Sequence, residues 1–374
     1  MVAFKSAVVS LSLGWISFIS VAHWGLNLRS EAPVRAGSRA ATNEAQQFRV
    51  GFLPVTCHLT CPVTDFINKQ MNGDGLFKPV RFGGFPELKE AFISGHTSAT
   101  FILAPMAMAL REQGVPLKIV HLGHRDGTAM VVHQQSDIRR IEDLRGKRIA
   151  VPNRFSNQFL LIFKALRDRQ MGLEDVTLVE MPPPDMPAAL ASRAVDAITS
   201  GEPFMGQAEI DGYGRVLYLT KDIWPNFISC VLAVPDHLIE SQRDVIQKLV
   251  TGIAKSGKWL DQTPDHRQQA AQFVATNYYN QDPRLLSFVL SKPPDRVKYT
   301  NLGVVRKDFE EIERLAVAAG IIEGKVRFED YADPSFVPTE IEAYAWEATT
   351  AMPAGTMPAG TMPAGTMPAA ELGR

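Results

Sequence analysis

Between residues 47 and 347 short apolar runs alternate with stretches whose apolar positions recur at helical spacing. Residues 48–53 read as a strand, and residues 62–70 open a helix on a proline, whose fixed φ suits the first turn. Residues 86–93 and 105–113 read as helices around a strand at 100–103, and strands follow at 117–122 and 129–133. A strand at 148–151 leads into a long helix over 156–169. Strands at 176–179, 197–199 and 216–218 then alternate with helices at 187–192 and 203–210. Strands separated by helices predict an α/β fold of parallel sheets with helices on both faces. Beyond Val234 the pattern is nearly all helical, at 244–260, 267–276, 284–290 and 307–319, as expected of helices that pack on a first lobe after the chain returns from a second.

Neither end of the chain reads as fold. Ala7 to Ala22 is an apolar run behind Lys5, the layout of a secretory signal. It is shorter than the ~20 residues of a membrane-spanning helix, although continuing through Leu26 makes a marginal anchor. A cleaved signal peptide and a signal anchor both fit, so residues 1–46 are assigned to export plus linker. From Met352 the chain repeats Met-Pro-Ala-Gly-Thr, and proline in every unit denies the backbone a donor. Residues 348–374 are therefore expected to be a disordered tail.

A length of 374 residues suits two units of roughly 100–200 residues each. The 45% hydrophobic and 21% charged fractions are those of a globular chain. With 39 Lys and Arg against 40 Asp and Glu, the net charge of −1 leaves no basic footprint for nucleic acid. No Ser/His/Asp arrangement, metal-hydrolase motif or phosphate-binding Gly-x4-Gly-Lys-Ser loop occurs, so neither an enzyme nor a cofactor is expected.

In open α/β sheets ligands sit beyond the carboxyl ends of strands. The candidate positions are accordingly Thr56, Cys57 and His58 after the first strand, Phe85, Pro105, Thr128, then Asn153, Ser156 and Asn157, and Glu202. Ser156 can cap the helix it precedes, and that helix start can also hold an anion. Cys57-His58-x-x-Cys61 together with Cys230 leaves three states open: a disulfide, free thiols or a metal ligand set. No metal is assigned. His96, His121, His124 and His133 have no metal-like spacing and read as surface or satisfied histidines.

Four stretches stand out: Val50-Gly-Phe-Leu-Pro-Val-Thr56, Ser94 to Ala109 with its Ala-Pro-Met, Ile141-Glu-Asp-Leu-Arg-Gly-Lys-Arg-Ile-Ala-Val-Pro152, and Pro182-Pro-Pro-Asp-Met-Pro-Ala-Ala-Leu190 through Gly201-Glu-Pro203. Together they resemble the substrate-binding proteins of ABC importers for nitrate, bicarbonate, aliphatic sulfonates, taurine and thiamine-precursor pyrimidines. The resemblance implies a two-lobed periplasmic binding protein, with lobe one at 47–135 and 233–347, lobe two at 136–232, and a hinge of two linker strands. It implies a monomer, periplasmic or anchored by its N-terminal segment, that hands a small solute to permease and ATPase subunits.

By the same resemblance Phe85 stands where nitrate and bicarbonate members have tryptophan, Thr128 matches a glutamine, Asn157 a histidine, and Cys230 or a close neighbour a lysine. Losing the lysine and the histidine removes what would neutralise a small buried anion. The expected ligand is therefore a small organic solute, sulfonate-, carboxylate- or pyrimidine-like, with Glu202 facing a cationic or amide-bearing group. A membrane-tethered ligand sensor is the alternative. A pyrimidine-precursor synthase is a further one, whose dense cysteine cluster Cys57-His-Leu-Thr-Cys61 echoes only faintly.

Overall fold

Strand β1, Arg49–Phe52, is buried over Val50, Gly51 and Phe52, the near-continuous apolar run that a strand covered on both faces requires. The computed structural model to which it belongs describes residues 48–338 and 340–347. The export segment and the Met-Pro-Ala-Gly-Thr repeats lie outside the described residues. After β1 come α1 (Thr60–Asn72), β2 (Lys78–Arg81), α2 (Phe85–Ile93), β3 (Ala99–Leu103), α3 (Ala104–Glu112) and β4 (Leu117–Leu122). The chain then runs through β5 (Arg125–Asp126), β6 (Thr128–His133), β7 (Arg148–Val151), α4 (Asn157–Arg167), β8 (Thr177–Glu180), α5 (Met186–Ala191), β9 (Ala197–Gly201), α6 (Phe204–Ile210) and β10 (Gly214–Leu219). It returns by β11 (Cys230–Pro235) to α7 (Arg243–Gln262), α8 (Pro264–Val274), α9 (Pro283–Ser291), β12 (Val297–Lys298) and α10 (Arg306–Ala318).

Two five-stranded sheets result, in the orders β2-β1-β3-β11-β4 and β10-β6-β9-β7-β8. The α/β reading holds, but the sheets are mixed rather than parallel. In the first, β11 runs antiparallel to β3 and β4, and in the second β6 runs antiparallel to β9 and β10. The reason is connectivity: β6 and β11 enter their sheets directly from the other lobe, without the crossover helix that a parallel connection needs. The same connectivity sets sheet membership. Thr128–His133 belongs to the second sheet and Cys230–Pro235 to the first, because an apolar run carries no mark of the sheet it will join. Strand β2, absent from the sequence reading, is a partly exposed edge carrying Lys78 and Pro79, residue types that edge positions favour.

The two crossings lie side by side. Gly123 N–H donates to the Cys230 carbonyl and Asp126 N–H to the Phe227 carbonyl, each at 2.8 Å. β12 pairs with β5 beside them.

Helices α7, α8 and α9 cover one face of the first sheet, and α10 packs on the other. Leu249, Ile253, Trp259 and Phe273 join Val50, Phe52 and Phe101 in one apolar cluster. Full burial of such side chains contributes about 1.5–3 kcal/mol apiece. Two of these helices also reach the second lobe, α9 against α6 and α10 against α4. Among the described residues no helix is long and apolar enough to cross a membrane.

Candidate functional site

The turn after β1, Thr56–His58, lies where the two sheets meet and is wholly buried. Thr56 is held on three sides. Its N–H donates to the Glu202 carbonyl at 2.6 Å, its carbonyl accepts from the Tyr299 hydroxyl at 2.9 Å, and its Oγ1 lies 3.2 Å from His124 Nε2. The Tyr279 hydroxyl donates to the preceding Val55 carbonyl at 2.8 Å. Burial pushes both phenols well above their usual value, so they remain donors.

On this turn Cys57 Sγ stands 2.9 Å from Cys230 Sγ at the start of β11. Cys57 Sγ, Cys230 Sγ and a ring nitrogen of His58 lie within 4.8 Å of one another, the arrangement among the described residues that a metal ion could occupy. The donor set argues against His58 as a ligand in this state. Leu53 N–H donates to His58 Nδ1 at 2.7 Å, so the neutral ring carries its hydrogen on Nε2, which is buried without a hydrogen-bond partner. Phe85 meets the His58 ring edge-on at 6.1 Å and Phe101 lies tilted at 5.3 Å, a fixed aromatic seat for the imidazole. Cys61 faces a different apolar cluster, away from the pair. A Cys57–Cys61 bridge is therefore not what this fold arranges.

The second lobe supplies the start of α4. Ser156 Oγ accepts from Phe159 N–H at 3.1 Å, so it caps the helix. The Asn157 side-chain amide donates to the Ile228 carbonyl, which fixes its Oδ1 as the free atom. Gln158 donates to Ser229 Oγ at 3.0 Å and to Thr128 Oγ1 at 3.4 Å, leaving its own Oε1 unpartnered. Ser229 Oγ in turn lies 3.8 Å from Cys230 Sγ, and Cβ built at Gly201 would come within 3.9 Å of Cys57 Sγ. Thr56, Cys57, His58, Phe85, Thr128, Asn157 and Cys230 are thus drawn into one continuous buried seam. Asn153 and Pro105 are peripheral. Asn153 bonds Glu180 and borders a cavity of about 160 Å³ with Pro86, Met106 and Phe155, while Pro105 opens α3. A larger hollow of about 660 Å³ is lined by His121, Arg125, Lys258 and Tyr299 among others, and by none of the expected residues.

Glu202 is placed in the seam but is already occupied. Arg296 Nε donates to its Oε1 at 2.8 Å and Gly206 N–H to its Oε2 at 2.8 Å, and Arg296 also pairs with Glu209. Burial pushes the Glu202 carboxyl up while Arg296 pulls it down. The carboxylate that the sequence offered to a cationic ligand group is thus matched by a cation of the same chain.

Sequence reasoning missed Gln158, Ser229, Arg296 and the two tyrosines, and it read His124 as uninvolved. His124 is fully buried, its Nδ1 has no partner, and burial lowers its pKa. Its place directly after β4 was a usable signal, since loops at strand ends were already the places to look. Arg296, in an unremarkable Lys-Pro-Pro-Asp-Arg run, offered none.

A profile of the NMT1-like family matches residues 41–275, more than half of the chain. A ligand-binding component of an ABC-type import system from Staphylococcus aureus, solved with zinc bound, superposes with a TM-score of 0.69 at 24% identity, covering 78% of this chain and 98% of that one. The periplasmic nitrate-binding protein NrtA from Synechocystis PCC 6803 gives a TM-score of 0.70 at 13% identity over 77% of this chain and 86% of that one. Among curated relatives, the nitrate import ATP-binding protein NrtC of Synechocystis sp. is 24% identical over 191 residues, 47% of this chain but only 28% of that protein. These neighbours share the two-lobed binding-protein fold, and with the profile they establish that the chain belongs to the NMT1-like family.

Proposed function

We propose that the chain is the extracytoplasmic solute-binding component of an ABC importer, which takes a small organic solute between its two lobes and passes it unchanged to permease and ATPase subunits. Family membership and the binding-protein fold support this reading. The observation that carries the choice of solute is the polarity of the seam. Its unpartnered buried atoms include those of the uncharged groups His58 Nε2, His124 Nδ1, Asn157 Oδ1 and Gln158 Oε1, while the Arg296 guanidinium is matched by Glu202 and Glu209. A bare anion would meet no spare positive charge there, and its desolvation would go uncompensated. Free donors and acceptors side by side suit a neutral solute with both kinds of partner, of which a pyrimidine-type ring is the example; sulfonates and carboxylates fit less well.

In this reading His58, Asn157 and Gln158 meet the solute, Phe85 walls it, and Thr56, Thr128 and Ser156 hold the backbone around it. Asn153 stands at the mouth, and Glu202 acts by neutralising Arg296. Lobe one is then the first sheet with the helices after β11, and lobe two the second sheet with α4 to α6.

The test is a thermal-shift and calorimetric screen of the reduced full-length protein against neutral pyrimidines, alkanesulfonates, nitrate and bicarbonate. A ligand at a hundredfold excess over its Kd stabilises by about 2.7 kcal/mol. Pyrimidines are expected to shift the transition and to be recovered unchanged. Stabilisation by nitrate or bicarbonate alone would overturn the solute class, and a new product would overturn the non-enzymatic reading.

A further inference from the structure

Cys57 and Cys230 are distant in sequence and adjacent in space, with Sγ atoms 2.9 Å apart and both side chains buried. Their environments are unequal. Burial works against ionisation of Cys57, but the hydrogen bond with Cys230 and the neighbouring His58 outweigh it, holding that thiol well below its usual range. Burial and the adjoining Cys57 push Cys230 well up. Cys61, buried near Asp65, is also raised. The titratable groups facing Cys57 are His58 on its own turn, His124 from the crossing, Cys230 on β11, and the Tyr279 and Tyr299 hydroxyls. The His58 hydrogen on Nε2, unpartnered and fully buried, is the donor at hand for a thiolate at Cys57.

We propose that Cys57 and Cys230 form a reversible dithiol–disulfide site inside the seam, with Cys57 as the attacking thiolate, Cys230 as the resolving thiol and His58 as the positioning residue. The oxidant is a low-molecular-weight disulfide that enters when the lobes part. Cys57 thiolate attacks one of its sulfurs, forming a mixed disulfide and releasing one thiolate. Cys230 loses its proton and attacks Cys57 Sγ, forming the internal S–S bond and expelling the second thiolate. Two protein thiols are oxidised, and one external disulfide is reduced to two thiols. Because Cys57 sits on the turn after β1 and Cys230 begins the returning strand, oxidation ties that turn to the linker and removes the thiolate charge from the seam. The chemistry stands apart from the solute assignment. Its effect on binding rests on that assignment, so the experiment reads the thiols without solute.

The full-length protein is reduced, exposed to glutathione disulfide, denatured, alkylated and mapped by mass spectrometry. The expected product is a peptide pair linked through Cys57 and Cys230, lighter by two hydrogens, with Cys61 alkylated. Cys61→Ser should give the same link, and His58→Asn should give it more slowly, with its rate displaced to higher pH. Cys57→Ser and Cys230→Ser should each leave a mixed disulfide or a free thiol and no internal link. The proposal fails if both thiols remain alkylable after oxidation, if Cys61 enters the link, if His58→Asn leaves the pH profile of the rate unmoved, or if the reduced protein holds stoichiometric zinc or copper that shields the pair.

Discussion

Arg296 donates from Nε to Glu202 Oε1 at 2.8 Å, joining the segment before β12 to the loop after β9, with side-chain exposures of only 2% and 0%. An ion pair this deep adds little net stability against an apolar replacement, yet losing one partner leaves an uncompensated charge. Arg296→Met is therefore expected to destabilise by about 3–5 kcal/mol in urea unfolding. Removing the charge opposite as well, in Glu202→Gln with Arg296→Met, should recover part of the loss. A double-variant loss equal to the sum of the two single-variant losses would show that the pair is not coupled.

His121 makes folding sensitive to acid. It is buried, with Nδ1 2.7 Å from the Leu122 carbonyl, and burial lowers its pKa from 6.5 to about 4. A folded value below the unfolded one means that the folded state binds fewer protons between them. The contribution is complete above pH 6.5 and declines as the pH falls through that value toward 4. At 1.36 kcal/mol per unit, His121 accounts for about 3 kcal/mol over the interval. Urea titrations at pH 7 and pH 4.5 should show the fall, and His121→Gln should flatten it. His124, also lowered by burial, adds with the same sign.

Close approach of the crossing to the site predicts a steric effect. A Cβ at Gly123 would lie 2.2 Å from the Cys57 carbonyl oxygen. Gly123→Ala is therefore expected to force the two segments apart, at about 1–3 kcal/mol for an overpacked position. The diagnostic readout is faster alkylation of Cys57 in the native protein than in wild type. An unchanged melting temperature and alkylation rate would show that the contact yields without consequence.

Gln158 separates binding from folding. Its amide spans Ser229 and Thr128 and leaves Oε1 free. Gln158→Leu is expected to weaken solute binding at least tenfold, about 1.4 kcal/mol, by calorimetry on the reduced protein. Retained affinity would remove Gln158 from the solute's contacts.

Phe85 stands between the two roles. It is 3% exposed and seats the His58 ring. Phe85→Leu keeps most of the packing volume and should cost less than about 1.5 kcal/mol, whereas Phe85→Ala should cost about 3–5 kcal/mol. Comparable losses in urea unfolding would show that the ring is not packed as described.

Most of the fold was legible because it rests on local periodicity. The buried run at β1, the proline-opened helices at Pro86 and Pro105, and the helical stretch after Val234 all declare themselves within a dozen residues. The edge strand β2 did not, since a half-exposed strand has no apolar pattern to read.

The candidate site was legible in part. Thr56, Cys57, Thr128 and Asn157 stood out because they follow or border strand ends, and they meet in the seam. Glu202 stood out as well, but its buried partner lies far along the chain, so its charge looked available when it is not.

What the sequence by itself determined is the alternation of elements, the strand-end loops that meet in the seam and the family to which the chain belongs, because each is written in short-range pattern or in motif. Only the tertiary structure decided that β6 and β11 run antiparallel, that Cys57 meets Cys230 rather than Cys61, and that Arg296 neutralises Glu202. Those outcomes depend on which surfaces become neighbours once apolar faces are buried, and segments that meet through the core carry no local sign of their partners.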